Sequence, residues 1–147
     1  MFEPLPDGAV EQDELVDSLV QAAFVTMAVL NRVAAEHDLS LTQLRVLGIL
    51  RDRRVGVTTL AGYLGLEKST MTGLVARAEK RGLLQRAPNP GDGRAVDIFL
   101  SPQGAELVER VHGQIVQILA PRTTDLTPAE QRRLHSLLRR TLDAGPS

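Results

Sequence analysis

Residues 58–82, TTLAGYLGLEKSTMTGLVARAEKRG, leave the chain little choice of local structure. Two segments of helical period flank Gly65, which is free to take the left-handed conformation that ends a helix. Thr58 or Thr59 offers a hydroxyl to cap the first segment. In the second, from Glu67 or Lys68 to Arg81, the residues Met71, Leu74, Val75 and Ala78 recur at helical spacing and predict a buried stripe. The opposite face carries Lys68, Ser69, Thr70, Thr72, Gly73, Arg77, Lys80 and Arg81, with carboxylates only at Glu67 and Glu79. Two short helices joined at a glycine, the second with hydroxyls near its start and cations beyond, form a helix-turn-helix. Its second helix has the shape and chemistry to enter a DNA major groove.

The next residues extend this unit. Leu83-Leu84-Gln85-Arg86-Ala87 and Ala95-Val96-Asp97-Ile98-Phe99-Leu100 read as two strands. Between them, Pro88-Asn89-Pro90-Gly91-Asp92-Gly93-Arg94 is a loop of turn formers ending in a cation. A hairpin directly after a recognition helix is a wing, and Arg94 at its tip is placed for a narrow minor groove. Val55-Gly56-Val57 is short and apolar and is expected to add a third strand.

Charge follows the same division. Residues 1–44 hold eight acidic side chains and one basic (Arg32), a net of −7, whereas residues 45–94 hold ten basic and four acidic, a net of +6. Residues 95–147 hold six of each. A whole-chain charge of −1 thus conceals a phosphate-seeking lobe.

Around that lobe lie longer helices. Residues 1–10 are expected to lack order, and a helix is expected over residues 11–37. Its apolar stripe runs through Leu15, Val16, Leu19, Val20, Ala23, Phe24, Met27 and Leu30 to Val33 or Ala34. At more than about 25 residues it outreaches a core of this size, so part of it must pack on something else. Asp38 and Leu39 break it, and Ser40-Leu41-Thr42-Gln43 is a capping box opening the next helix. That helix is expected to bury Leu44, Val46, Leu47 and Leu50, with Ile49 widening the stripe. Arg51-Asp52-Arg53-Arg54 is expected to close it against the helix dipole. Ser101-Pro102 starts a helix reaching residue 119 or 120, and Thr127-Pro128-Ala129-Glu130 is a second capping box. The last helix carries Leu134, Leu137, Leu138, Thr141 and Leu142, and Gly145-Pro146-Ser147 ends the chain. The lobe over residues 40–100 cannot cover these apolar faces. Either helices of two copies interleave in a two-fold dimer, or they form a bundle within one chain.

The chain resembles the MarR (multiple-antibiotic-resistance regulator) family of winged-helix transcription factors. The likeness runs from about Leu15 to Leu142. It is carried by Ser40-Leu41-Thr42-Gln43-Leu44, Leu60-Ala61, Leu64-Gly65-Leu66 and Lys68-Ser69-Thr70-Met71-Thr72. It continues through Leu74-Val75, Arg77, Glu79-Lys80-Arg81-Gly82-Leu83-Leu84, Arg86, Asp92-Gly93-Arg94 and Leu100-Ser101-Pro102-Gln103-Gly104. The resemblance implies a mostly α fold with a small β-hairpin wing. It also implies one domain, with dimerisation helices at 11–37 and 102–143 flanking the DNA-binding lobe. A homodimer on a pseudo-palindromic site is expected, acting as a repressor relieved by a small-molecule effector. The effector would sit where the first and fifth helices meet the lobe, with Phe24, Met27, Leu30 and Leu44 as candidate lining residues and core packing as their other role. Two positions depart from the family pattern. Gly93 stands where many members carry an arginine, so the wing contact rests on Arg94 alone, or Arg94 braces the wing through Asp92. Gly73 stands where many members place a larger polar residue, at a helical cost of about 0.8–1 kcal/mol relative to alanine.

The candidate DNA-binding residues are therefore Lys68 as a phosphate clamp, Ser69, Thr70 and Thr72 in the first turns, and Gly73, Arg77 and Arg94. Ser69 alternatively caps the helix, and Arg77 alternatively forms a solvated ion pair. Arg86 pairs with a carboxylate, and Asp92 positions Arg94. Tyr63 is expected in the helix-turn-helix core. His37, His112 and His135 have no metal-ligand spacing, no nucleophile sits in a catalytic context, and no glycine-rich phosphate loop follows a strand. No enzyme, metal or cofactor is expected. The absence of cysteine excludes disulfides and thiolate chemistry. The apolar stretches are amphipathic or short, so no membrane span is expected, and an acidic, proline-bearing start is unlike a signal peptide. A cytoplasmic protein follows. The competing class is a winged-helix adaptor or anti-repressor that binds protein instead of DNA.

Overall fold

The computed structural model describes residues 7–144, with side chains from residue 11. Six helices and one hairpin follow in the order α1 (Asp7–Glu36), α2 (Leu41–Ile49), α3 (Val57–Leu64), α4 (Lys68–Lys80), β1 (Leu84–Asn89), β2 (Asp92–Leu100), α5 (Pro102–Leu119) and α6 (Pro128–Asp143). A single 3₁₀ turn, Ala120–Thr123, separates α5 from the segment leading to α6. α1 begins at Asp7, so residues 7–10 are helical where no order was expected; residues 1–6 and the closing Gly145-Pro146-Ser147 lie outside the described residues.

Local chemistry accounts for most boundaries. Asp38 stops α1 with a φ of 55°, a conformation that aspartate tolerates better than most non-glycine residues. Ser40 Oγ accepts from the Gln43 N–H while Gln43 Oε1 accepts from the Ser40 N–H, closing the first capping box. Thr127 and Glu130 close the second in the same way. There the Thr127 backbone N–H, followed by its hydroxyl, holds the Glu130 carboxyl below its ordinary value of 4.5. The stabilisation this cap gives α6 is present above that ordinary value and is lost as pH falls through the lower folded one. α3 departs from expectation. Its cap is Gly56, with no side-chain bond, and Thr58 and Thr59 lie exposed inside the helix. Gly65 ends it at φ 65°, as its sequence position requires.

The core sits within the winged lobe. Leu60 of α3, Met71 and Val75 of α4, Ile98 of β2 and Val33 of α1 are fully buried together. Val46, Leu47 and Leu50 from α2 and Leu107, Val108 and Val111 from α5 complete it. Leu44 and Ile49 are only half-buried, and Tyr63 lies outside the core at 46% exposure. The expected third strand is reduced to one bridge, Val55 with Ile98, because Val57 already belongs to α3. Arg51, Arg53 and Arg54 lie beyond the end of α2 and turn to carboxylates (Glu109, Asp52 and Asp97) instead of the helix dipole. The Arg51 bond holds the Glu109 carboxyl below its usual value.

The N-terminal half of α1 and all of α6 stand apart from this core. Leu15, Val16, Leu19, Val20 and Phe24 are exposed, Phe24 by 68%, and no residue of α6 is buried. The alternative of a bundle within one chain is therefore not formed by α6. The reading that every apolar stretch is amphipathic or short does not extend to α1, where Glu11–Glu36 is long and apolar enough to cross a membrane by length and composition alone. Its C-terminal end nevertheless packs Val33 and Ala34 into the lobe, and Glu11, Asp13, Glu14 and Asp17 load its start.

A polar junction fixes the start of α5 against the lobe. Ser101 caps α5 through Gly104 N–H, donates its hydroxyl to the Gly82 carbonyl at 2.6 Å and its N–H to the Leu83 carbonyl at 3.0 Å. Gly104 lies so close to Leu83 that a Cβ there would overlap the Leu83 carbonyl. Gly104→Ala is therefore expected to destabilise the fold by about 1–3 kcal/mol, the usual cost of overpacking, read as a lower urea midpoint. An unchanged midpoint would contradict this packing.

Candidate nucleic-acid interface

Burial of Met71, Val75 and Ala78 fixes the rotation of α4. At about 100° per residue, Ser69, Thr70 and Arg77 then face outward and Thr72 lies on the flank, whereas Lys68 falls at the edge of the buried stripe and is exposed because it opens the helix; all five are exposed, with Gly73 half-buried. The N-cap, Glu67, makes no side-chain bond to the helix, so the first N–H groups of α4 carry no side-chain cap. Ser69 is not the cap. Thr72 donates its hydroxyl back to the Lys68 carbonyl of the same helix at 2.8 Å. Arg77 Nε donates to the Gly73 carbonyl at 3.3 Å, laying the guanidinium along the helix rather than into an ion pair. A Cβ on Gly73 would meet Arg77 Nη2 at 3.7 Å, an ordinary contact, so packing within the protein does not demand glycine there.

Of the two carboxylates on this side, Glu67 is exposed at the start of α4 and Glu79 is neutralised. Arg86 Nε donates to Glu79 Oε1 at 2.6 Å, tying β1 to α4. Arg81, grouped in sequence with the outward cations, is turned away. Its two terminal nitrogens donate to the Asp38 and His37 carbonyls at 2.8 and 3.1 Å, clamping the end of α4 to the end of α1. Its expected place on the groove face is thus corrected, because carbonyls freed at the α1 terminus supply better partners than water.

The wing is tighter than the seven-residue loop expected. β1 and β2 extend to Asn89 and Asp92, leaving only Pro90-Gly91 between them. Arg94 is exposed on β2, and its backbone N–H, not its guanidinium, donates to Asp92 Oδ1 at 3.0 Å.

Below the lobe is a cleft of about 630 Å³ between α1, α2 and α5. Met27, Leu30 and Leu44 line it together with Leu47, Val111 and Ile115. Phe24 does not, because it lies a turn further out on α1 among the exposed residues. Arg45, Asp52, Arg53 and His112 also line the cleft, with Asp52 accepting from Arg53 Nε at 3.2 Å; sequence reading missed them because they share no motif and are brought together only by the fold. Among the described residues no group of three or more histidine, aspartate or glutamate side chains gathers to hold a metal.

An exposed, cation-bearing second helix and an adjoining two-stranded wing define a winged helix-turn-helix protein. Residues 37–95 match the model of the MarR family. The chain is 31% identical over 115 residues to the multiple antibiotic resistance protein MarR of Salmonella typhimurium, covering 77% of this chain and 80% of that one. It is 28% identical over 139 residues to the HTH-type transcriptional regulator PecS of Dickeya dadantii, covering 92% and 84%. The apo crystal structure of wild-type MarR from E. coli superposes with a TM-score of 0.67 at 27% identity, over 96% of this chain and 99% of that one. The chain belongs to the MarR family and is a DNA-binding transcriptional regulator, not an enzyme.

Proposed function

We propose that two copies of the chain form a cytoplasmic repressor that reads a pseudo-palindromic operator and is released by a small-molecule effector. In this reading residues 11–37 and 102–143 are dimerisation helices and residues 40–100 are the DNA-binding lobe. The observation that supports it is the outward face of α4, which exposes hydroxyls and uncapped N–H groups and holds Thr72 and Arg77 only by bonds to the helix's own carbonyls, while Glu79 is engaged by Arg86. Lys68 clamps a phosphate, and Ser69, Thr70 and Thr72 reach phosphate or base edges. Arg77 swings from the Gly73 carbonyl to a base or phosphate, and Gly73 lets the backbone approach the groove. Arg94 enters the adjacent minor groove.

A second copy is supported by the apolar surface left open. Leu15, Leu19 and Phe24 of α1 and Leu134, Leu138 and Leu142 of α6 are exposed, far beyond scattered surface residues. Charge agrees: the start of α1 carries Glu11, Asp13, Glu14 and Asp17, while α6 carries Arg132, Arg133, Arg139 and Arg140. Two lobes about one helical turn apart supply the specificity that one helix lacks. A protein-binding adaptor has no use for the cationic face, so that reading is not favoured.

The cleft fits the effector role, since its volume falls in the range of small-molecule sites. Apolar walls fit a compact aromatic ligand; Arg45 and His112 offer a carboxylate on it polar partners, while Arg53 is engaged by Asp52, and such a ligand would bias the angle between lobe and dimer helices. A series of aromatic carboxylates is expected to include members that raise the melting temperature of the wild type but not of Leu44→Trp. If none raises it, the effector reading fails.

DNA binding is tested by titrating a palindromic duplex of about 30 bp at about 50 and 200 mM salt, with sedimentation of the free protein alongside. A dimer with affinity falling steeply with salt is expected, and Arg77→Ala or Arg94→Ala should weaken binding about tenfold or more while leaving the dimer intact. A monomer, or binding insensitive to salt, would overturn the proposal.

A further inference from the structure

Arg94 is held by side chains more than by the β-ladder. The register passes from Pro88 opposite Val96 directly to Asn89 opposite Asp92, so Gly93, Arg94 and Ala95 face no residue of β1. Pro88 cannot donate to the ladder at this break. Other bonds take over. Asn89 Oδ1 accepts the N–H groups of Gly91 and Asp92 at 2.8 and 3.1 Å, and Asp92 Oδ1 accepts that of Arg94. Asn89 is itself oriented, because its amide donates to both carboxylate oxygens of Asp97 at 3.0 and 3.1 Å.

Asp97 is one of two buried polar residues among those described, at 5% exposure, within a strand whose neighbours are apolar. Arg54 supplies its counter-charge: Nε donates to Asp97 Oδ2 at 3.0 Å, Nη2 reaches the Pro88 carbonyl at 3.4 Å, and the guanidinium lies 4.6 Å from the Phe99 ring centroid. Arg54 is anchored in turn by its neighbour Val55, which exchanges two backbone bonds with Ile98 at 3.1 and 2.7 Å. A buried carboxylate is costly unless it is paired and hydrogen-bonded. Here the pairing reaches from the link before α3, through the base of the wing, to the backbone of its tip.

We propose that Arg54, Asp97 and Asn89 are positioning residues for DNA binding, which set the wing bulge and thereby aim Arg94 at the groove. This rests on the DNA-binding reading above. The three residues need not touch DNA; they act through Arg94, and Asn89 is the piece whose loss least disturbs the core. Removing it frees the Gly91 and Asp92 N–H groups and lets the tip fray while Ile98 stays buried.

The test compares wild type, Asn89→Ala, Arg94→Ala and the double variant by fluorescence anisotropy on a random-sequence duplex of about 30 bp at low salt. It is combined with amide hydrogen exchange of the free proteins. Asn89→Ala is expected to weaken binding about threefold to tenfold, and to add little once Arg94 is gone, the signature of two residues acting as one unit. Exchange at Asp92 and Arg94 should quicken at least about tenfold while that at Val75 and Ile98 is unchanged. Additive losses, or unaltered exchange at Arg94, would overturn the inference. If the wild type binds no duplex, the function proposed above fails, and exchange at Arg94 alone decides whether this network sets the wing.

Discussion

Met71 and Val75 are fully buried, and while they remain so α4 has no freedom to turn about its axis. Three sides of the lobe enforce this. Leu60 of α3 packs from beneath, Ile98 from the wing, and Val33 from the end of α1. Each outward residue of α4 inherits its direction from that packing rather than from any bond of its own. The outward face is thus a by-product of the core, so hydroxyls and a glycine stand there without disturbing its packing.

The lobe is joined to its surroundings at a few polar points. Arg81 ties the end of α4 to carbonyls at the end of α1, and Ser101 ties the carbonyl of Gly82 to the start of α5. His37 Nε2 donates to Gln114 Oε1 at 2.7 Å, linking α1 to α5 on the same side. Movement of α1 against α5 must therefore be felt at the end of α4. The cleft between α1, α2 and α5 lies where an occupant would press on those two helices together.

Helical periodicity and cap chemistry made the helices legible, because Ser40, Ser101 and Thr127 each leave a local signature that the fold obeys. The stripe Met71-Val75-Ala78 gave the outward face of α4 for the same reason. What was not legible depended on distant partners. Thr58 and Thr59 resemble caps, yet Gly56 takes the place because Val55 must reach Ile98. Arg81 looked like a groove cation, and Arg54 like part of a cluster closing α2, until carbonyls and a carboxylate about 43 residues away claimed them. Asp97 did leave a trace, a lone carboxylate amid strand apolars, but Arg54 and Asn89 could be matched to it only through space. Phe24 follows the same stripe as Met27 and Leu30, and periodicity alone does not say where a helix leaves its own core.

The most direct test uses the absence of cysteine from the sequence. Single cysteines at Thr72→Cys and, as a control on exposed α5, Gln117→Cys would each carry an iron chelate that cleaves nearby DNA. If two copies bind as proposed, position 72 gives strong cleavage in two windows about one helical turn apart, opening on the major groove, and position 117 gives background cleavage. Equal cleavage from both positions, or none from position 72 under conditions where the protein binds, would contradict the placement of α4 against DNA.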